Sequence, residues 1–374
     1  MPCTDAAGLS TVSIEAENKM PMHKFCLTTT ALVMAGALAG TAAGQTAKPA
    51  EQPFVPVYET NFPDPFILPH GDRFLAYATN AERMQANVQM AVSPNLVTWK
   101  PLRDARGKLH DAMPVLPSWA DKGWTWAPEV MRHDNRYLLY FTAREKKSGR
   151  QCTGVATGTD PLGPFTSPAP EPLVCQRELG GTIDATPYRD TDGQMYLYYK
   201  ADANAVGKPT DIFVQRMTPD GLALTGEVVA LLRNDQPWEA HVIESPTMVR
   251  QDGRYVLFYS ANHFGWEPHQ RLSPYAMGYA TCDGPMGPCR DAADNPILYS
   301  YNNKQAGCLS GPGHQAVFDA GGRQFIVFHA HGARGGCRNA NKGRYMYVAP
   351  LLWRDGKPVL GKSLRPAEEK KGRK

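Results

Sequence analysis

The feature that most constrains this chain is a segment that recurs five times: "DRFLAYATN" (Asp72–Asn80), "NRYLLYFTAR" (Asn135–Arg144), "GQMYLYYKAD" (Gly193–Asp202), "GRYVLFYSAN" (Gly253–Asn262) and "GRQFIVFHAH" (Gly322–His331). Each copy is a turn of Gly, Asn or Asp, then an aromatic residue, then an apolar run of β-formers. Aligned on Phe74, Tyr137, Tyr196, Tyr255 and Phe325, the copies are spaced by 63, 59, 59 and 70 residues. A further strand-like piece follows each, for example "VQMAVSPNLVTW" and "AMGYATCDGPMGPC". Five units of roughly 60 residues, each with room for about four short strands, predict an all-β fold, a five-bladed β-propeller. A β-sandwich does not generate five similar copies, and a β-helix has much shorter repeats.

About ten residues ahead of each aromatic lies a second repeated element. These are "FPDPF" with Asp64, "WAPEV" with Glu129, "IDATP" with Asp184, "IESPT" with Glu244 and "GPGHQ" with His314. In a propeller, equivalent positions are related by rotation about one axis. If each element lies on its blade's innermost strand, all five converge near one mouth of the central channel. An Asp before Pro is by itself most often a turn residue; the repetition aims it at the axis instead. Several carboxylates around a neutral pocket suit glycoside hydrolysis, in which one acid protonates the leaving oxygen and a carboxylate activates water or attacks directly. Like charges in one site disfavour full ionisation, which keeps one acid protonated.

Composition narrows the partners. Of the 374 residues 42% are hydrophobic and 20% charged, and the 34 glycines and 32 prolines suit many turns between short strands. The net charge is +4, of which Glu368–Lys374 supplies +2, so no basic stripe points to nucleic acid. "MHKFCLTTTALVMAGALAGTAAGQTA" has a basic start, an apolar run and a small-residue end, as in a secretory leader, and is too short and Gly/Ala-rich for a good membrane span. The expected organisation is residues 1–43 as leader with an over-extended N-terminus, 44–56 as linker, 57–362 as the propeller and 363–374 as a basic tail, in a secreted or periplasmic protein. Beyond the leader six cysteines remain, and local pairing would join Cys152 to Cys175, Cys282 to Cys289 and Cys308 to Cys337.

With its DPF, WAPE, IDATP, IESP and GPGHQ elements in order from about Tyr58 to Leu360, the chain resembles glycoside hydrolase family 43, five-bladed propeller enzymes that act on arabinose- and xylose-containing glycans. The resemblance implies an inverting mechanism. Asp64 would be the general base, Glu244 the general acid, and Asp184 the residue that raises the acid's pKa and orients it. Trp126 of "WAP" would line the sugar pocket, Arg344 of "GRYMYVAP" is a candidate to reach it, and Glu129 would serve the scaffold. His314 is a candidate ligand for a structural calcium ion, although the mechanism requires no cofactor. Trp124, Trp266 and His263 are candidate stacking walls.

Within the family, Pro63 stands where many arabinan-cleaving members carry a histidine, and no C-terminal β-sandwich of the two-domain xylosidase type follows the last repeat. These departures favour an exo-acting α-L-arabinofuranosidase over a β-xylosidase or an endo-arabinanase. A retaining fructosidase would show Arg-Asp-Pro and Glu-Cys where this chain has "IDATPYRDTDG" and "IESP". The reading from another class is a catalytically inactive glycan-binding propeller.

Overall fold

The computed structural model describes residues 54–81, 85–265, 271–304, 307–332 and 343–364. The expected leader and most of the linker and tail lie outside the described residues. Between them runs the expected propeller. The first sheet is β1 (Phe66–His70), β2 (Arg73–Ala78), β3 (Gln89–Ser93) and β4 (Lys100–Pro101). The second is β5 (Trp126–His133), β6 (Arg136–Arg144) and β7 (Gln151–Gly158), its outer edge reduced to bridges from Thr153 to Val174 and from Thr157 to Thr166. The third is β8 (Thr182–Arg189), β9 (Met195–Ala201), β10 (Asp211–Met217) and β11 (Leu224–Arg233). The fourth is β12 (Ile243–Gln251), β13 (Arg254–Ala261), β14 (Ala276–Cys282) and β15 (Cys289–Asp291). A hairpin of β16 (Tyr301–Asn303) and β17 (Gly307–Leu309) precedes the fifth, β18 (Gly313–Ala320), β19 (Arg323–His331), β20 (Arg344–Arg354) and β21 (Lys357–Leu360).

All pairings within these sheets are antiparallel, and the inner strands touch in the cyclic order β1, β5, β8, β12, β18 and back to β1. The ring is closed by the N-terminal segment, where the Val57 amide donates to the Met346 carbonyl (2.9 Å) and the Phe62 amide to that of Arg344 (2.8 Å).

Five hydrophobic cores hold the ring, one at each interface between neighbouring sheets. The second strand of each sheet faces a neighbour on both sides, so its apolar run shows no polar alternation. On β6, Leu139 and Phe141 pack toward the first sheet, while Leu138 and Tyr140 pack toward the third. Burying one such side chain stabilises the fold by about 1.5–3 kcal/mol. The Cys152–Cys175 and Cys282–Cys289 disulfides are formed as expected. Cys308 is also disulfide-bonded, and Cys337 lies outside the described residues.

The repeat has a backbone signature at the head of each inner strand. Asp64, Ala127, Asp184, Ser245 and His314 all have left-handed φ, from +44° to +56°. On β5, β8, β12 and β18 the ladder register shifts just after this residue. The pairing that follows corrects the sequence alignment. Pro69, Arg132, Arg189, Arg250 and Asp319, each five residues past the kink, pair with Phe74, Tyr137, Met195, Tyr255 and Gln324. Tyr196 and Phe325 are therefore one position out of register with the other aromatics, because the equivalent positions hold the non-aromatic Met195 and Gln324, each followed by an aromatic. Five residues further along, the second strands or their ends carry Thr79, Thr142, Lys200, Ser260 and His329, all buried.

Away from the axis, the Tyr259 hydroxyl lies 2.7 Å from both Glu239 Oε1 and Asp291 Oδ1. Burial raises both carboxyls. The hydroxyl has one proton and can donate to only one of the two carboxylates at a time. Tyr259→Phe keeps the ring and removes the bridge. It is expected to destabilise the fold by about 2 kcal/mol, measured as a lower urea midpoint with an unchanged slope; an unchanged midpoint would show the bridge to be neutral.

Candidate active site

The kinked residues determine what reaches the axis. Asp tolerates left-handed φ better than most residues, and Asp64 is fixed there between Pro63 and Pro65. In the next sheets the same position is Ala127, Asp184, Ser245 and His314. This corrects the expected equivalence of the acids. Glu244 lies one residue before its sheet's kink and Glu129 two residues after, so neither is the rotational counterpart of Asp64. The register shift between Glu244 and Thr247 still leaves Glu244 in the pocket. Glu129 is carried away from it, to the cavity at the other end of the inner strands, where its carboxylate accepts from the Thr186 hydroxyl at 2.9 Å. Burial pushes its carboxyl up to about 8.

Asp64, Asp184, Glu244, Trp126, Arg344 and His314 all line one pocket of ≈ 380 Å³. Its volume is that of a small-molecule site. The second-strand ring fastens the kinks to one another. Thr79 donates to Asp64 Oδ2 and accepts from the Ala127 amide (3.0 Å). Thr142 accepts from the Asp184 amide (3.3 Å), Ser260 from that of His314 (2.8 Å) and His329 Nδ1 from that of Asp64 (3.1 Å). In four of five sheets this position thus holds the neighbouring sheet's kink by its amide. In the third sheet it is Lys200, and its ammonium reaches Glu244 Oε2 instead, at 3.0 Å. The Ser245 amide is served by Asp184 Oδ2 (3.1 Å).

These contacts separate the carboxylates electrically. Burial alone would raise Asp64, but the Arg344 guanidinium at 3.0 Å, then His314, hold it well below the ordinary value. Burial raises Asp184; His314 and Lys200 oppose this, while Glu244 and Asp64 reinforce it. For Glu244 burial is overcome by Lys200 and by the Tyr275 hydroxyl, which donates to Oε1 at 2.7 Å, and its carboxyl is lowered. A Cβ on Gly313 would lie 2.0 Å from Tyr275 Cε1, so the "GPGHQ" glycine is what lets that ring reach Glu244. Burial holds His329 down at about 3, a neutral imidazole.

Aromatic side chains stand at the mouth. Trp126 packs on Trp124 with centroids 6.1 Å apart, and Trp124 is half-exposed beneath Arg144. Opposite them in the chain, Phe264 is exposed and carries the Arg344 guanidinium 5.3 Å from its ring. His263 lines the pocket, whereas Trp266 lies outside the described residues. Sequence reasoning missed Phe264, Tyr275, Lys200 and Asp202. Lys200 had a signal, since it occupies the repeat position of Thr142 and Ser260. Tyr275 and Phe264 lie in loops with none.

The calcium expectation for His314 meets a poor donor set. His314 Nδ1 faces Asp64 Oδ1 at 3.4 Å and Asp184 Oδ2 at 4.0 Å, one nitrogen and two carboxylates already engaged by Arg344 and the Ser245 amide. Calcium takes six to eight oxygens. Among the described residues, the only close grouping of three potential metal ligands is Glu145, Cys152 and Cys175, and both cysteines are in a disulfide. The residues present do not fit a calcium ion, and no step is derived through one.

A five-bladed ring thus brings three carboxylates, those of Asp64, Asp184 and Glu244, to one pocket of small-molecule size. The family model for "Glycosyl hydrolases family 43" matches residues 54–358, and the chain belongs to that family. It is 27% identical over 252 residues to the β-D-galactofuranosidase xynD of Aspergillus niger, covering 63% of this chain and 64% of that protein. It is 28% identical over 268 residues to an arabinoxylan arabinofuranohydrolase of Bacillus subtilis, covering 63% of this chain and 48% of the relative. The chain thus spans about half to two-thirds of the length of these relatives. Among solved structures, a thermostable family-43 glycoside hydrolase superposes with a TM-score of 0.70 at 29% identity, covering 84% of this chain and 99% of that one.

The charge on Asp64 generates a prediction. Removing the Arg344 cation takes away the largest influence holding Asp64 down, so its pKa rises. Arg344→Met should move the acid limb of the kcat/KM profile to higher pH, and Arg344→Lys should restore part of the shift. An acid limb that stays in place would separate Arg344 from the ionisation of Asp64.

Proposed function

We propose that this protein is an inverting, exo-acting α-L-arabinofuranosidase on arabinan or arabinoxylan. The observation that carries the reading is the division of charge in the pocket. Asp64 is held as a carboxylate by Arg344, as a general base requires, while the paired carboxyls of Asp184 and Glu244 share one buried site with Lys200. A sugar with its anomeric carbon between the two groups would be attacked by a water that yields its proton to Asp64. Glu244 would protonate the departing glycosidic oxygen, and Asp184, fixed by the Ser245 amide, would position Glu244 and tune its proton affinity. Trp126 and Arg344 would bind the sugar.

The furanose preference rests on the relatives. The names of the A. niger and B. subtilis proteins share a five-membered sugar ring and differ in the sugar. A β-xylosidase remains the second reading, favoured by a structure named endo-1,4-β-xylanase from Bacteroides thetaiotaomicron, similar at 27% identity and a TM-score of 0.66. The proposed export rests on the leader-like N-terminal sequence; among the described residues no helix is long and apolar enough to cross a membrane.

Hydrolysis of aryl α-L-arabinofuranoside and aryl β-D-xyloside tests the reading. The furanoside should be cleaved, Asp64→Ala should lower kcat on it by about 10²–10⁴-fold, and Glu244→Ala should cause a loss of that size on arabino-oligosaccharides, whose leaving oxygen needs the proton. Glu244→Ala should retain most of its rate on substrates with activated aryl leaving groups, which need little protonation. Wild-type cleavage of the xyloside alone would move the assignment to a xylosidase. Full activity in Asp64→Ala would refute the base assignment.

A further inference from the structure

Glu244 is held by its neighbours in the ionised form, whereas the role proposed for it requires a proton. A general acid needs a protonated oxygen turned toward the leaving group. In this pocket both carboxylate oxygens already accept: Oε2 from Lys200 Nζ at 3.0 Å and Oε1 from the Tyr275 hydroxyl at 2.7 Å. Each oxygen keeps a second lone pair, but the adjacent ammonium favours the ionised form of Glu244. Withdrawal of a donor raises the affinity of Glu244 for the proton that the reaction consumes.

The surroundings decide which one leaves. Tyr275 is fully buried, its ring lies against the Gly313 backbone and it stacks on His329 with centroids 5.9 Å apart. It has no room to withdraw. Lys200 is equally buried and lines the same pocket as Tyr275, but its ammonium, on a four-carbon chain, has a second carboxylate, Asp202 Oδ1, at 3.4 Å. A sugar oxygen arriving there meets an ammonium that can exchange one oxygen partner for another while remaining paired. At the corresponding position the other four sheets use Thr79, Thr142, Ser260 and His329 to hold a backbone amide. Lys200 departs from that structural duty.

We propose that Lys200 is a positioning residue that arms the acid: it clamps Glu244 as a carboxylate in the empty pocket and passes to a sugar oxygen when the glycone binds, freeing Glu244 to take up its proton. The inference rests on the assignment of Glu244 as the general acid. It makes protonation conditional on an occupied sugar site. The charged and titratable groups facing the pair are Asp202 and Asp184 from the third sheet, Tyr275 ahead of β14, and His314 at the head of β18; Arg150 acts on Asp202. Asp184 lines the same pocket, and burial raises its carboxyl, so it can supply the proton. The transfer leaves Asp184 as the carboxylate and Glu244 as the acid, with no change in total charge.

The test reads the Glu244 carboxyl directly. Protein labelled with ¹³C at glutamate carboxyls is titrated by NMR, with Glu244 assigned by the signal lost in Glu244→Gln. In Lys200→Met the Glu244 titration should move up by about one pH unit or more, the effect of losing an adjacent opposite charge. Lys200→Met/Asp202→Asn should show the same move without leaving Asp202 unpaired, which covers the case in which the single variant misfolds. In Asp64→Asn, with 4-nitrophenyl α-L-arabinofuranoside kept saturating against the slow residual turnover, bound sugar should raise Glu244 likewise, and adding Lys200→Met should abolish that response. A titration unchanged by Lys200→Met, or sugar binding that leaves Glu244 in place, would overturn the proposal. Failure of the arabinofuranoside to bind would instead count against the substrate reading, and the titrations without sugar would still decide the role of Lys200.

Discussion

A left-handed backbone kink repeated at the head of each inner strand is the constraint on which the pocket depends. It lets a strand that packs against its neighbours along its length present one residue to the axis. Residues with a Cβ resist that conformation, so each kink must be held from outside. In four sheets the holder is a buried side chain at the end of the preceding sheet's second strand. In the remaining one it is the pocket carboxylate of Asp184. Closure of the ring by the segment that includes Val57 and Phe62 brings the last holder, His329, against the first kink, Asp64. Packing between sheets, backbone geometry and the position of the carboxylates are thus one mechanical unit.

The chemistry follows from what replaces what in that ring. Substituting lysine for a hydroxyl at one of five equivalent places inserts a buried positive charge beside Glu244 and Asp184. Arg344, from the fifth sheet, supplies another beside Asp64. Buried carboxylates are costly without partners, and these two cations make the cluster tolerable. They also sort it, with one carboxylate committed to the ionised state and a pair whose proton can be redistributed. The aromatic residues at the mouth, Trp126 and Phe264, add apolar surface where a sugar ring would lie.

The fold was legible because a propeller repeats its chemistry at a fixed period: turn, aromatic, apolar strand. Asp64 and Asp184 were legible for the same reason, each beside proline or within a strand-initiating motif. Register was less so. Glu129 and Glu244 look equivalent to Asp64 in the one-dimensional pattern, yet the kink falls at Ala127 and Ser245, and a shift of one or two residues turns a side chain to a different face. Likewise Tyr196 and Phe325 drew the alignment away from Met195 and Gln324. Tyr275 and Phe264 come from loops outside the repeat, where spacing carries no information. Lys200 shares a repeat position with Thr142 and Ser260, and only its contact with Glu244 reveals its importance.

The central claim is that a water activated by Asp64 attacks from one side while the leaving oxygen departs on the other. Following the first seconds of aryl α-L-arabinofuranoside cleavage by ¹H NMR reads this directly from the anomeric signal of the released sugar. Inversion predicts that the β-anomer appears first and then mutarotates. Initial release of the α-anomer would mean a double displacement through a covalent intermediate, and would contradict both Asp64 as the base and Glu244 as the acid of a single displacement.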